Sequence, residues 1–118
     1  MTTITRVLLS GSTNGKSIKI AATATAGTLL HTAVAGTASY DEVYVWFTNT
    51  DTNVITITIE YGGVTDPDNL IVKAYSLPVS SAPTPILTGQ VLQNGLVIGC
   101  FASSANKILA TGYVNRIA

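Results

Sequence analysis

Apolar and polar positions alternate with a period of two through most of this chain, the pattern of strands whose two faces meet different surroundings. The clearest stretch is Val54–Tyr61, where Ile55, Ile57 and Ile59 interleave with Thr56, Thr58 and Glu60. Glu42–Thr48 alternates as well, with Val43, Val45 and Phe47 on one face and Tyr44 and Trp46 on the other. Between them, Asn49-Thr50-Asp51-Thr52-Asn53 has the short polar side chains of a tight loop. The two segments are therefore predicted to form a hairpin. A second hairpin is predicted at Gln93-Asn94-Gly95, because Asn-Gly supplies the φ > 0 residues of a type I′ turn and apolar runs flank it.

Leu96–Ala102 and Lys107–Val114 then read as consecutive strands joined through Ser103–Asn106. Earlier strands are predicted at Ile4–Ser10, Lys16–Thr23 and Thr28–Val34, and another at Asn69–Tyr75, entered through Asp66-Pro67-Asp68. Leu77–Pro85 holds Pro78, Pro83 and Pro85 and is predicted as a loop or crossover, since proline has no N–H to give to a central ladder. Thr28–Ala35 is the one helix candidate, and Gly27 and Gly36 bracket it too tightly. About eight short strands with regular turn signals predict an all-β fold, a small antiparallel β-sandwich with a jelly roll as one form. The 118 residues suffice for one domain, 1–118, without a second core. Residues 1–6 are expected to form a flexible N-terminal arm.

Charge changes this picture. Only 10% of residues are charged, against roughly 25% in ordinary domains. Six basic and six acidic residues are spread singly and balance to a net charge of +0. Without a basic run there is no surface to release counterions from a phosphate backbone, so no nucleic-acid partner is expected. No apolar run approaches the ~20 residues of a membrane-spanning helix, and Met1–Arg6 has no basic segment leading into an apolar one, so neither membrane insertion nor a secretory signal is expected. Cys100 is the sole cysteine, which excludes an intramolecular disulfide and a thiolate-built zinc site and suits a reducing cytoplasm.

Motifs for chemistry fail on spacing. Gly11-Ser12-Thr13-Asn14-Gly15-Lys16-Ser17 has one residue too few between its glycines for a P-loop and leads into a strand, not a helix. Asn49, Asp51, Asn53 and Glu60 match EF-hand positions, but Val54 stands where the sharp turn needs glycine, and a strand carries Glu60 away. Asp66 and Asp68 read as an ordinary turn. His31 is the one histidine. A nucleophilic Cys100–His31 pair competes with the simpler reading of Cys100 as a small buried apolar residue. No catalytic residue, metal or cofactor is expected.

Tyr44 and Trp46 share a strand face, with Tyr40 just upstream, and an exposed strip of this kind could stack on a sugar or anchor a partner. In the alternative, favoured for Trp46 and open for Tyr44, these rings fill the core while Val43, Val45 and Phe47 lie beneath a loop. Glu42–Phe47, Leu70–Tyr75, Leu96–Phe101 and Ile108–Val114 all carry apolar or aromatic residues on both faces. One face enters the sandwich core; the other needs a second cover, most simply further copies of the chain or a larger lattice. Scarce charge agrees, because interface cores are depleted in Lys, Glu and Asp.

The pattern Asp41-Glu42-Val43-Tyr44-Val45, Asn49-Thr50, Val54–Gly63, Asp68–Val72, Gly95-Leu96-Val97, Phe101-Ala102-Ser103 and Gly112–Ile117 resembles small virion proteins of tailed bacteriophages, over roughly residues 25–117. The resemblance implies a non-enzymatic structural role, foremost as a decoration or cement protein on the capsid, with a tail, neck or fibre component as the alternative. It implies a homo-oligomer, a trimer being one form, that is made in the host cytoplasm and carried on the virion against the major capsid protein or another virion protein. It transfers no functional residues. Expected partner contacts, read from the residues, are Tyr40, Tyr44 and Trp46, together with Thr2, Ile4 and Arg6 if the arm adds a strand to a partner's sheet edge. A carbohydrate-binding β-sandwich using the same three rings is the alternative from a different class.

Overall fold

In a computed structural model, which describes residues 2–80 and 82–118, the alternating segments form strands β1 (Ile4–Leu8), β2 (Ile18–Lys19), β3 (Thr28–Thr32), β4 (Tyr40–Asn49), β5 (Ile55–Tyr61), β6 (Leu70–Leu77), β7 (Thr84–Leu92), β8 (Val97–Ala102) and β9 (Ile108–Ile117). All pairings are antiparallel. One sheet is five-stranded, in the order β1-β9-β4-β7 with β2 also on β9, and the other is four-stranded, in the order β3-β8-β5-β6. The described residues contain no helix.

The pairings nest. β1 and β2 together pair β9, β3 pairs β8, β4 pairs β7, and β5 pairs β6. One long hairpin is thus rolled up, and the pairings β4–β9 and β5–β8 close the two sheets. This is the jelly roll, with its first strand broken into β1 and β2. The inward positions of both sheets make one core, with Val43, Val45 and Phe47 facing Ile55, Ile57, Ile59, Ile98 and Cys100, all nearly or wholly buried. Cys100 is a core residue, as its alternation with Ile98 and Ala102 predicts.

Both predicted hairpins are corrected. β4 and β5 lie in opposite sheets, as do β7 and β8, so each connecting loop crosses the sandwich instead of folding a strand onto its neighbour. The local turn chemistry is nonetheless as expected. Asn94 and Gly95 have φ of 63° and 68°, and the turn closes with Leu96 N–H donating to Gln93 O at 3.3 Å. In the first loop, Asn49 turns inward and is buried; its Oδ1 accepts from Asp51 N–H at 2.9 Å and its Nδ2 donates to Asn53 O and Leu77 O at 2.9 and 3.2 Å. Asn49 thereby ties the crossing to the end of β6.

Two further expectations fail. Leu77–Pro85 is not all loop: Leu77 ends β6, and Thr84 and Pro85 open β7, where Pro85 faces Trp46 across a register shift. β7 is an edge strand, where proline is accommodated without losing an internal ladder bond. Nor are residues 3–6 of the expected arm free. Ile4, Thr5 and Arg6 pair with Ile117, Arg116 and Asn115, and Thr3 exchanges both backbone hydrogen bonds with Ala118 at 2.9 Å. Met1 lies outside the described residues, and Thr2 is exposed beyond the strand.

Candidate functional site

The period of two in β4 sends Val43, Val45 and Phe47 into the core and leaves Tyr40, Glu42, Tyr44, Trp46 and Thr48 on the outer face of the five-stranded sheet. The core placement of Trp46 and Tyr44 is thereby overturned: both are half-buried on the outside. Residues directly opposite in an antiparallel pair share a face. Tyr113 faces Tyr44 across the β4–β9 pairing, and Leu8 faces Tyr113 across β1–β9. The Tyr44 and Tyr113 rings stack with centroids 5.1 Å apart, Trp46 tilts against Tyr113 at 6.1 Å, and the Arg6 guanidinium sits 4.4 Å from the Tyr113 ring centre. Tyr44 also lies over Gly89 of β7, where an added Cβ would come within 3.3 Å of its Oη. With φ of +113° at Gly89, a side chain there would meet both backbone strain and the tyrosine.

Aliphatic side chains flank the rings. Ile4, Leu8 and Val91 are 65%, 53% and 53% exposed on the same face, and Tyr40, aligned with Ile4 through Ile117, is exposed as well. Of the sequence-predicted contacts, Tyr44, Trp46 and Arg6 are thus brought together by Tyr113. Ile4 and Tyr40 lie at one end of the same face, and Thr2 stands outside it. Sequence reasoning missed Tyr113, Leu8 and Val91; only the register across β9 reveals that they continue the strip.

A second constellation lies inside. Asp41 is wholly buried and accepts from Arg116 Nε–H at 2.8 Å and Nη2–H at 3.1 Å, from His31 Nε2–H at 2.8 Å and from Val34 N–H at 3.1 Å. Burial alone would raise the Asp41 pKa, but the hydrogen bonds from Arg116 and His31 outweigh it and hold the carboxyl below its usual 3.8. The hydrogen bond to Asp41, with the charge of that carboxylate, raises the Arg116 pKa above its ordinary value against the opposing effect of burial. His31 Nδ1 accepts from Ser10 N–H at 3.0 Å, so both ring nitrogens are committed and neither is aimed at Cys100. Burial, with the charge of Glu60 adding to it, pushes the Cys100 thiol up to about 12. The cluster binds β3 of one sheet to β4 and β9 of the other; its chemistry is that of a clamp. Asp41 and Arg116 sit two residues from Val43 and Val114, on the inward phase of their strands, where Asp41 is wholly buried and the Arg116 side chain stays about a third exposed (32%).

The other candidate motifs resolve into turns. Ser12 N–H donates to Leu9 O and Lys16 N–H to Thr13 O, closing the glycine-rich segment on itself. Asp66 pairs with Lys73 at 3.0 Å on the surface. Among the described residues no group of three or more His, Cys, Asp or Glu could hold a metal ion. Compared with known proteins, the chain matches no family model, no curated protein and no solved structure.

Proposed function

We propose that this protein is a non-enzymatic virion structural component that decorates or cements a phage capsid, self-associating and docking through the outer face of its five-stranded sheet. The observation that supports this reading above all is the strip on that face. Aromatic rings and exposed aliphatic side chains run across β1, β9, β4 and β7, with Arg6 and Glu42 the charged residues among them. A stable interface takes about 800 Å² from each partner, a modest part of the 6053 Å² surface of the chain. Covering the strip would release its water at ~25 cal/mol per Å² of apolar area, before association costs. Many copies on one lattice would add these small terms, and the mechanism would be mechanical.

The route of strand addition is also sharpened. Since Ile4–Leu8 is already paired on one side, its free edge, not a loose arm, would accept a partner strand. The opposite edge, β7, carries Pro85 and two register shifts, which discourage such pairing. Purified protein is expected to bind capsids and raise their resistance to heat or chelator. Particles that neither bind it nor gain resistance would refute the capsid assignment.

The outward placement of Tyr44, Trp46 and Tyr113 favours a second reading, a glycan-stacking surface. Saturable quenching of Trp46 fluorescence by oligosaccharides would support it; an unresponsive emission would remove it.

A further inference from the structure

Glu60 belongs to the outward phase of β5, alternating with the core residues Ile57 and Ile59, yet it is only 2% exposed. Its neighbour across β8 is Gly99, which has no side chain to share the space, and residues 23–27 fold over it. Thr25 Oγ1–H donates to Glu60 Oε2, and Gly27 N–H donates to Oε1 at 2.7 Å. Both donors are neutral. Among the described residues the ion pairs join Asp41 to His31 and Arg116, and Asp66 to Lys73; none reaches Glu60. A carboxylate removed from water without a cation is costly, and such a group persists where something else offsets it.

Glu60 is not sealed in. It lines a cleft of about 250 Å³ whose walls include Ala24, Val64, Leu70 and Phe101, with the more than half-exposed Asp66 also contributing. A smaller space of about 70 Å³, bordered by Val97 and Gly99, also reaches Glu60. A buried acid thus meets mostly apolar walls in a space open to solvent. Divalent metals fit poorly, because calcium takes six to eight oxygen ligands and no group of three or more acidic, His or Cys residues is present among the described residues. A guanidinium would seek two free carboxylate oxygens, but each Glu60 oxygen already accepts a hydrogen bond. An ammonium is a compact charge with three rotatable donors and fits the remaining lone pairs better. The volume is below the ~300–1,000 Å³ of drug-sized sites and suits one side chain or a small amine.

We propose that this cleft binds a primary ammonium carried on an unbranched apolar stem, the head donating to Glu60 and the stem lying against Val64, Leu70 and Phe101. The chemistry is shared by a free alkylamine and by a lysine side chain of another protein. The site is independent of the assembly reading, since Glu60 is in the sheet opposite the aromatic strip.

The test is an NMR titration of the isotope-labelled full chain with n-butylammonium, with 1-butanol as the uncharged control, and with a blocked Gly-Lys-Gly peptide. Saturable shifts are expected at the amides of Thr25, Gly27, Val64 and Phe101, with 1-butanol at least about tenfold weaker. Glu60→Gln is expected to weaken ammonium binding to the level of the alcohol. Val64→Trp alters an exposed residue, so it leaves the core intact while filling the cleft, and is expected to abolish binding with Glu60 still present. Tighter binding of the peptide assigns the site to a partner's lysine, and tighter binding of butylammonium assigns it to a free amine; either supports the site. Absence of saturable shifts, an equal response to 1-butanol, or binding unchanged in both variants would overturn it.

Discussion

Asp41 concentrates more of the fold's polar energy than any other side chain described above, because four donors from β3, β9 and the turn after β3 converge on one buried carboxylate. Removing one partner of a buried pair leaves the rest uncompensated, so Asp41→Ala is expected to destabilise the domain by about 3 kcal/mol in urea unfolding. The pH dependence follows from the lowered pKa of Asp41. Its stabilisation is complete above the unfolded value of about 3.9 and is lost as pH falls through the lower folded value. Unfolding titrations from neutral to strongly acidic pH are expected to show this loss in the wild type and a flatter acid limb in Asp41→Asn. Tyr61 is the opposite case. Its Oη is buried with no hydrogen-bond partner among the described residues, and burial pushes its pKa up to about 12, so Tyr61→Phe is expected to raise stability by about 1 kcal/mol, read as a higher Tm. His31 alone reads as an isolated histidine in the sequence. Its role depends on contacts across sequence separations that local pattern does not encode, and its partners Asp41 and Arg116 fall just outside the predicted strands Glu42–Thr48 and Lys107–Val114, in the parts of β4 and β9 that alternation did not reach.

Among the elements, β4 has two faces that meet different surroundings, the core on one side and the outer strip on the other. Phe47→Ala is expected to cost about 3–5 kcal/mol, as a large side chain leaving a packed core does. Trp46→Ala, one residue away, is expected to cost about 1 kcal/mol of monomer stability while weakening self-association; equal losses from both would place Trp46 in the core after all. Strand existence in β4, β5, β8 and β9 was legible because alternation is set locally by what each face touches. Strand partnership was not. Asn94-Gly95 dictates φ, and the structure honours it, but whether the chain then pairs with the preceding strand or crosses to the other sheet is decided by the nested long-range pairings. β7 was half hidden for a different reason: Pro83 and Pro85 mimic a loop, and only its position at a sheet edge makes Pro85 compatible with a strand.

On the scale of the whole molecule, the apolar residues on both faces of β4 and β9 have a geometric meaning that composition could only suggest. One face closes the sandwich; the other aligns Leu8, Tyr113, Tyr44 and Trp46 with exposed aliphatic neighbours into a surface that a second body would cover. Burial of the buried Glu60 was invisible in the sequence, since the segment that covers it lies more than thirty residues away. Whether the outer face of the five-stranded sheet is an assembly surface is decided by native mass across a concentration series for the wild type and for Leu8→Lys, a change confined to that face. An oligomeric wild type is expected, and a folded, monomeric variant whose Tm matches that of the wild type diluted to monomer. A wild type that stays monomeric throughout, or a variant that associates as the wild type does, would contradict it.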